Sequence, residues 1–242
     1  MNIILKIQYD GSEFFGSQIQ PHGRTVQGEL QSALSKLFSH TVSAVFSGRT
    51  DSGVHAREQT VNFRVPSSPI PPDKISYPLN GILPNDIYAI SSKLTDDDFN
   101  ARFNAKNRTY RYFMRRTHDI FRNKYSLFYP YDIDIRKLNE AAELFIGKKN
   151  FQSFCSMHSE VNNYICDVNS LNFFRQEDEV VMEISSDRFL QNMVRIIVSV
   201  FLELNSGKID KPAIARIFDK KDRRHSPKTI SPRGLFLWRV DY

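Results

Sequence analysis

The chain has 242 residues, a formal net charge of +6 and a pI near 9.3, long enough to bury one large core or two smaller ones. The positive balance fits an anionic partner and fits equally a mildly basic enzyme without one. Two cysteines outside any CxxC spacing, Cys155 and Cys166, indicate neither a zinc site nor a disulfide framework and suit a reducing cytoplasm. The first ten residues alternate like a strand rather than a signal peptide. The most apolar run, residues 193–204, is broken by Arg195 and Glu203 and is too short to span a bilayer.

Residues 2–9 alternate apolar and polar in the manner of a half-buried strand. Val26, Leu30, Ala33, Leu34, Leu37 and Phe38 then recur at helical spacing behind Thr25, an N-cap candidate. Strands are expected around 42–47 and 59–65, then a proline-rich connector at 66–72, a short helix near 74–79 and a strand at 87–92. The second half has a strand at 108–116 and a helix capped by Asp134. A hairpin follows, with strands at 166–175 and 180–185. A long helix is expected to open at Asp187, run to Asn205 and stop at Gly207. A short helix at 212–218 and a strand at 235–240 end the chain. Strands interspersed with amphipathic helices predict an α+β fold with an antiparallel or mixed sheet covered by helices.

The most informative segment connects the strands expected at 42–47 and 59–65. It reads Gly48-Arg49-Thr50-Asp51-Ser52-Gly53-Val54-His55-Ala56. Glycines flank an aspartate, and an arginine lies two positions before it. Read alone, the residues leave two alternatives. Asp51 caps its own backbone in an Asx-turn, or it is a nucleophile kept ionised by a nearby guanidinium.

The full string, with what surrounds it, decides between them. Tyr9-Asp10-Gly11, Gly16 with Gln18, Val26-Gln27, Leu83-Pro84 and Asp86-Ile87 appear in order. Phe99-Asn100-Ala101-Arg102-Phe103, Tyr110-Arg111-Tyr112, Met193-Val194-Arg195 and Gly234-Leu235 follow. Over nearly its whole length the chain thus resembles the TruA family of tRNA pseudouridine synthases. The resemblance implies a pseudouridine synthase fold: two ferredoxin-like lobes, 1–104 and 105–242, sharing a central mainly antiparallel sheet, with the catalytic cleft between them. It implies isomerisation of uridine to pseudouridine at positions 38, 39 and 40 of the tRNA anticodon stem-loop, without a cofactor. A homodimer in which one tRNA bridges both subunits comes with it.

The resemblance makes Asp51 the nucleophile and Tyr110 the aromatic side chain against the flipped uracil. Arg49 is expected to enter the helix that the nucleotide leaves, where a planar cation fills the gap. Arg195, among Val194, Ile196, Ile197 and Val198, is expected to pair with Asp51, because a charge in such surroundings needs a counter-ion; read without the family, it faces solvent. Strand alternation puts Tyr110, Tyr112 and Met114 on one face and Arg111, Phe113 and Arg115 on the other, with Tyr112 assigned to core or to support of the site. Two basic clusters are expected to frame the groove and meet phosphates: Lys106, Arg108, Arg111, Arg115 and Arg116, then Lys220, Lys221, Arg223 and Arg224. His55 is expected to make a structural hydrogen bond, and no histidine pair has metal-ligand spacing.

Three stretches depart from the family pattern: Ser17 in place of a usual tryptophan, Asn162-Asn163-Tyr164-Ile165, and Thr229-Ile230-Ser231-Pro232. Two other functions compete. One is a catalytically silent RNA-binding chaperone of the same fold. The other is a metal-dependent nuclease using Asp51 with Asp96-Asp97-Asp98, a run that reads better as the solvated start of a turn.

Overall fold

The computed structural model describes residues 1–157, 159 and 161–242. In chain order its first elements are β1 (Asn2–Tyr9), α1 (Val26–Phe38), β2 (Ala44–Phe46), β3 (His55–Arg64), α2 (Ser76–Asn80) and β4 (Ile87–Thr95). Then come β5 (Asn107–Arg115), β6 (Leu127–Phe128), α3 (Ile135–Ala142), β7 (Gly147–Asn150), β8 (Ile165–Gln176) and β9 (Glu179–Ser186). The last are α4 (Met193–Asn205), α5 (Lys211–Lys220) and β10 (Leu235–Asp241). The α+β class holds. No helix of the described residues is long and apolar enough to cross a membrane.

The chain divides into two compact units, residues 1–106 with 236–242, and residues 107–235. The terminal segment, read from its place in the chain with the second lobe, therefore packs with the first unit.

In the first unit β1 pairs antiparallel with β3 on one side and β4 on the other, β2 pairs antiparallel with β3, and β10 runs parallel to β3 with Phe236 opposite His55. The alternation of β1 is visible in its burial. Ile3, Leu5 and Ile7 are fully buried, while Ile4, Lys6 and Gln8 are half-buried. Val26, Leu30, Ala33 and Leu34 form the buried stripe of α1. Each valine and leucine of that stripe contributes on the order of 1.5–3 kcal/mol by leaving water, and Ala33 less. Thr25 caps α1, its Oγ1 accepting the Gly28 N–H at 3.2 Å.

In the second unit β5, β9, β8 and β7 pair antiparallel in that order, and β6 pairs parallel with β5. Phe145, Phe151, Phe154, Phe201 and Phe218 make a core of ring contacts with centroids 4.6–5.8 Å apart. Asp134 caps α3 by accepting the Lys137 N–H at 3.0 Å.

One helix boundary is corrected. α4 begins at Met193, and Asp187 does not open it. The Asp187 carboxylate instead accepts the N–H groups of Asp167 and Arg188 and the Ser186 hydroxyl, closing the end of the β8–β9 pair. Asn192, in the left-handed region at φ 63°, is the residue that turns the chain into α4.

Candidate functional site

The Asp51 loop spans residues 47–54, because β3 starts at His55, earlier than its residue pattern indicates. Its base is pinned on β3. The Ser47 N–H donates to Thr60 O at 2.9 Å, the Ser47 hydroxyl bonds Gln59 Oε1, and Gln59 Nε2 donates to Gly48 O at 3.0 Å.

Thr50, the residue before the aspartate, is held at every polar group it has. Its N–H donates to Ser17 Oγ at 2.8 Å, its C=O accepts the Ser17 N–H at 3.1 Å, and its Oγ1 lies 2.8 Å from the Tyr9 hydroxyl. Thr50 is 5% exposed and Ser17 1%, so these bonds are shielded from water. Burial pushes the Tyr9 hydroxyl up to about 12, against the opposing hydrogen bonds of Thr50 and Gln59. Asp51 itself is half-buried. Its C=O accepts the Val54 N–H at 3.1 Å, closing a turn whose left-handed position, φ 76°, is taken by Gly53.

A strap, residues 11–17, lies flat on this loop. The Gly53 N–H and the Ser52 hydroxyl donate to Phe14 O at 3.3 and 3.2 Å. A Cβ on Gly11 would sit 1.9 Å from Val54 O, and one on Gly16, at φ 91°, would sit 2.9 Å from Thr50 O. Only glycine permits that approach at either position.

His55 makes the structural hydrogen bond expected of it. Its Nδ1 accepts the Gly11 N–H at 3.0 Å, and the ring stacks on Phe236 with centroids 4.6 Å apart. Nδ1 also lies 3.1 Å from Asp10 Oδ1. Asp10 Oδ1 is itself engaged by the Ser12 N–H and hydroxyl. Arg49 is exposed and makes no hydrogen bond or ion pair among the described residues.

In the second unit Tyr110 sits on β5 opposite Ile184, is 8% exposed, and meets the Phe189 ring edge-on at 5.1 Å. Tyr112 is fully buried. Its hydroxyl donates to Ser231 O at 2.9 Å, and burial raises its pKa. It is core, as expected. Arg195 is half-buried in the first turn of α4 rather than deep within a helix. It donates from Nε to Ile230 O at 2.8 Å and from Nη1 to Asn192 Oδ1 at 2.9 Å. Those acceptors offset the poor fit of a cation to a helix N-terminus. Carbonyls of the departing stretch Thr229–Pro232 thus hold both Tyr112 and Arg195, and backbone acceptors tolerate changes of side chain.

The first basic cluster is corrected. Arg115 is 2% exposed and faces no phosphate. Its Nε donates to Thr117 O, Nη1 to Arg122 O and Ser126 O, and Nη2 to Asp119 O and Asn123 Oδ1, at 2.6–3.0 Å. All five N–H groups of the guanidinium are used, and the loop after β5 is wrapped around it. Arg111 pairs with Glu183 across the strand at 2.6 Å. Arg116 pairs with Asp132, and Arg224 with Asp222. Arg223 is half-buried, donating to Ser226 O and Thr229 Oγ1. Lys106, Lys220 and Lys221 are exposed. Among the described residues no three of His, Cys, Asp or Glu gather to hold a metal ion, and Asp96, Asp97 and Asp98 are exposed in a turn.

The chain matches the family model described as tRNA pseudouridine synthase over residues 6–104 and 141–242. It is 39% identical to a protein of Caldicellulosiruptor bescii over 243 aligned residues, covering 100% of this chain and 99% of that one. It is 40% identical to one of Bacillus licheniformis over 246 residues and 39% to one of Bacillus subtilis over 246, each again covering 100% of this chain and 99% of the relative. All three relatives carry the name tRNA pseudouridine synthase A.

Proposed function

Since the chain belongs to the tRNA pseudouridine synthase family and isomerises uridine to pseudouridine in tRNA, we propose that it acts at positions 38, 39 and 40 of the anticodon stem-loop with Asp51 as nucleophile. The reaction breaks the N1–C1′ bond, turns the uracil and joins C5 to C1′, and the proton on C5 leaves. Atoms and electrons balance within the nucleoside and solvent, so no external cofactor enters. Attack of the carboxylate on the base, attack on the sugar, and removal of a sugar proton all lead to this product. Each requires an ionised, fixed Asp51.

The observation that supports this reading is the contrast between neighbours. Thr50 is buried and bonded at its N–H, C=O and hydroxyl, while Asp51 beside it is half-buried. Fixing the backbone on one side of a residue that itself stays half-buried is what positioning a nucleophile demands. Arg49, exposed and without an internal partner among the described residues, is assigned to the gap left by the extruded nucleotide. Tyr110 is assigned to stacking on the uracil and Arg195 to keeping Asp51 charged. The working assembly is a cytoplasmic homodimer with one tRNA across both subunits.

Unmodified tRNA carrying tritium at uridine C5 tests the proposal. Label is released without added metal and in excess chelator, and Asp51→Asn binds the tRNA yet releases none. Tight binding with no release by the wild type would mark a silent chaperone. A chelator-sensitive strand break would mark a nuclease.

A further inference from the structure

Phe15 stands out on the strap that lies against the Asp51 loop. Its neighbours are packed away: Phe14 is 2% exposed, with the Arg24 guanidinium 4.3 Å from its ring centroid, and Gly16 and Ser17 are buried. Phe15 is 58% exposed. It is nevertheless held. Its N–H donates to Arg24 O at 2.9 Å, and its C=O accepts from Gln20 Nε2 at 2.6 Å. One side of the ring lies over Gly23, where a Cβ would come within 2.6 Å of ring atoms. The residue after it is the one whose Cβ would strike Thr50 O and lie 3.4 Å from Ser52 N. A fixed aromatic plane therefore stands one residue from the backbone on either side of Asp51.

We propose that Phe15 is a stacking platform for a nucleobase of the RNA substrate adjacent to the uridine on which Asp51 acts. The inference rests on the function proposed above. Extruding a nucleotide strips its neighbours of a stacking partner, and a phenyl ring, with no hydrogen-bonding group, offers only a face. Stacking on an aromatic side chain tolerates any base, which suits an enzyme working at three successive positions. A nucleic acid fits the surroundings better than a protein does. Apart from Ile19, the exposed residues from 18 to 23 are Gln18, Gln20, Pro21, His22 and Gly23, and the exposed cation Arg49 lies on the adjoining loop.

The test compares Phe15→Ala, Phe15→Leu and Phe15→Trp in the full chain, measuring Kd for unmodified tRNA by direct binding, with KM and kcat from tritium release. Ala and Leu raise Kd and KM by about 5- to 150-fold, the equivalent of about 1–3 kcal/mol for one stacked base. kcat and the unfolding midpoint stay near wild type, and Trp binds as well as Phe. Unchanged Kd in Phe15→Ala overturns the proposal. So does a Leu variant that binds like wild type, since that marks a generic apolar contact. If the wild type binds tRNA but releases no tritium, the catalytic proposal fails, and the Kd contrast still decides this one.

Discussion

Replacing Ser17 by alanine removes one oxygen, the one that accepts the Thr50 N–H at 2.8 Å. Thr50 is 5% exposed and Ser17 1%, so water does not take the place of the lost hydroxyl. Two limits bound the outcome. If the backbone keeps its course, a buried amide is left without an acceptor, which costs about 1–3 kcal/mol. In a chain of this size each kcal/mol moves the unfolding midpoint by roughly 2–4 °C, so the fall is about 2–12 °C. If the loop shifts until the amide finds another acceptor, most of that stability returns and Asp51 moves with it. Misplacement by about 1 Å costs on the order of 100-fold in rate. The second Ser17 contact, from its own N–H to Thr50 O at 3.1 Å, is made by backbone and survives the substitution, which limits the shift and favours the first limit. The assay therefore reads both quantities on one sample, the thermal midpoint and kcat for tritium release. A variant with wild-type midpoint and wild-type kcat together would refute the placement of the Asp51 loop by Ser17.

Two further outcomes follow from buried groups. Arg115→Met keeps most of the side-chain volume but takes the donors away from the acceptors of residues 117–126, and it lowers stability by at least the roughly 1–3 kcal/mol of a buried acceptor left unsatisfied; urea denaturation measures it, and a loss under about 1 kcal/mol would show that the loop does not depend on the guanidinium. Tyr9, raised from 10.0 to about 12 by burial, loses its proton first in the unfolded chain. Its contribution is therefore complete below pH 10 and falls by about 1.4 kcal/mol per pH unit as pH rises toward 12. Denaturant melts across that range show a shallower decline for Tyr9→Phe, with Tyr112, Cys155 and Cys166, which burial also raises, contributing to the remaining slope.

What was legible in the sequence was what short-range physics decides. The Thr25 and Asp134 caps, the β8–β9 hairpin and the stripe of α1 each rest on residues a few positions apart, and each is present. The Asp51 loop is legible as a string because its glycines and aspartate are neighbours. Asp187 and Arg115 depart from expectation for one shared reason. Asp187 has the chemistry of a helix cap, but the N–H groups within its reach belong to Asp167 and Arg188. Arg115 alternates with Arg111 as a solvated cation would, and only the fold shows a loop closing five acceptors over it.

Ser17 carries the same lesson to the functional loop. Read along the chain it is an aromatic gone missing. In the fold it is the acceptor and donor that hold Thr50, the residue before Asp51. A tryptophan at this position would offer only an indole N–H, a donor, and could not accept from the Thr50 amide. This chain fixes the loop through the polar bond. The carboxylate is chosen by residues 48–56, and its position is chosen by a strap more than thirty residues upstream. That strap works through what its residues lack as much as through what they carry. Gly11 and Gly16 admit the loop's carbonyls where any Cβ would exclude them, and the small Ser17 leaves an oxygen where a larger side chain would leave none. Substitutions in residues 11–17 should therefore be scored by turnover as well as by folding, since a loop can remain folded and still misplace its carboxylate.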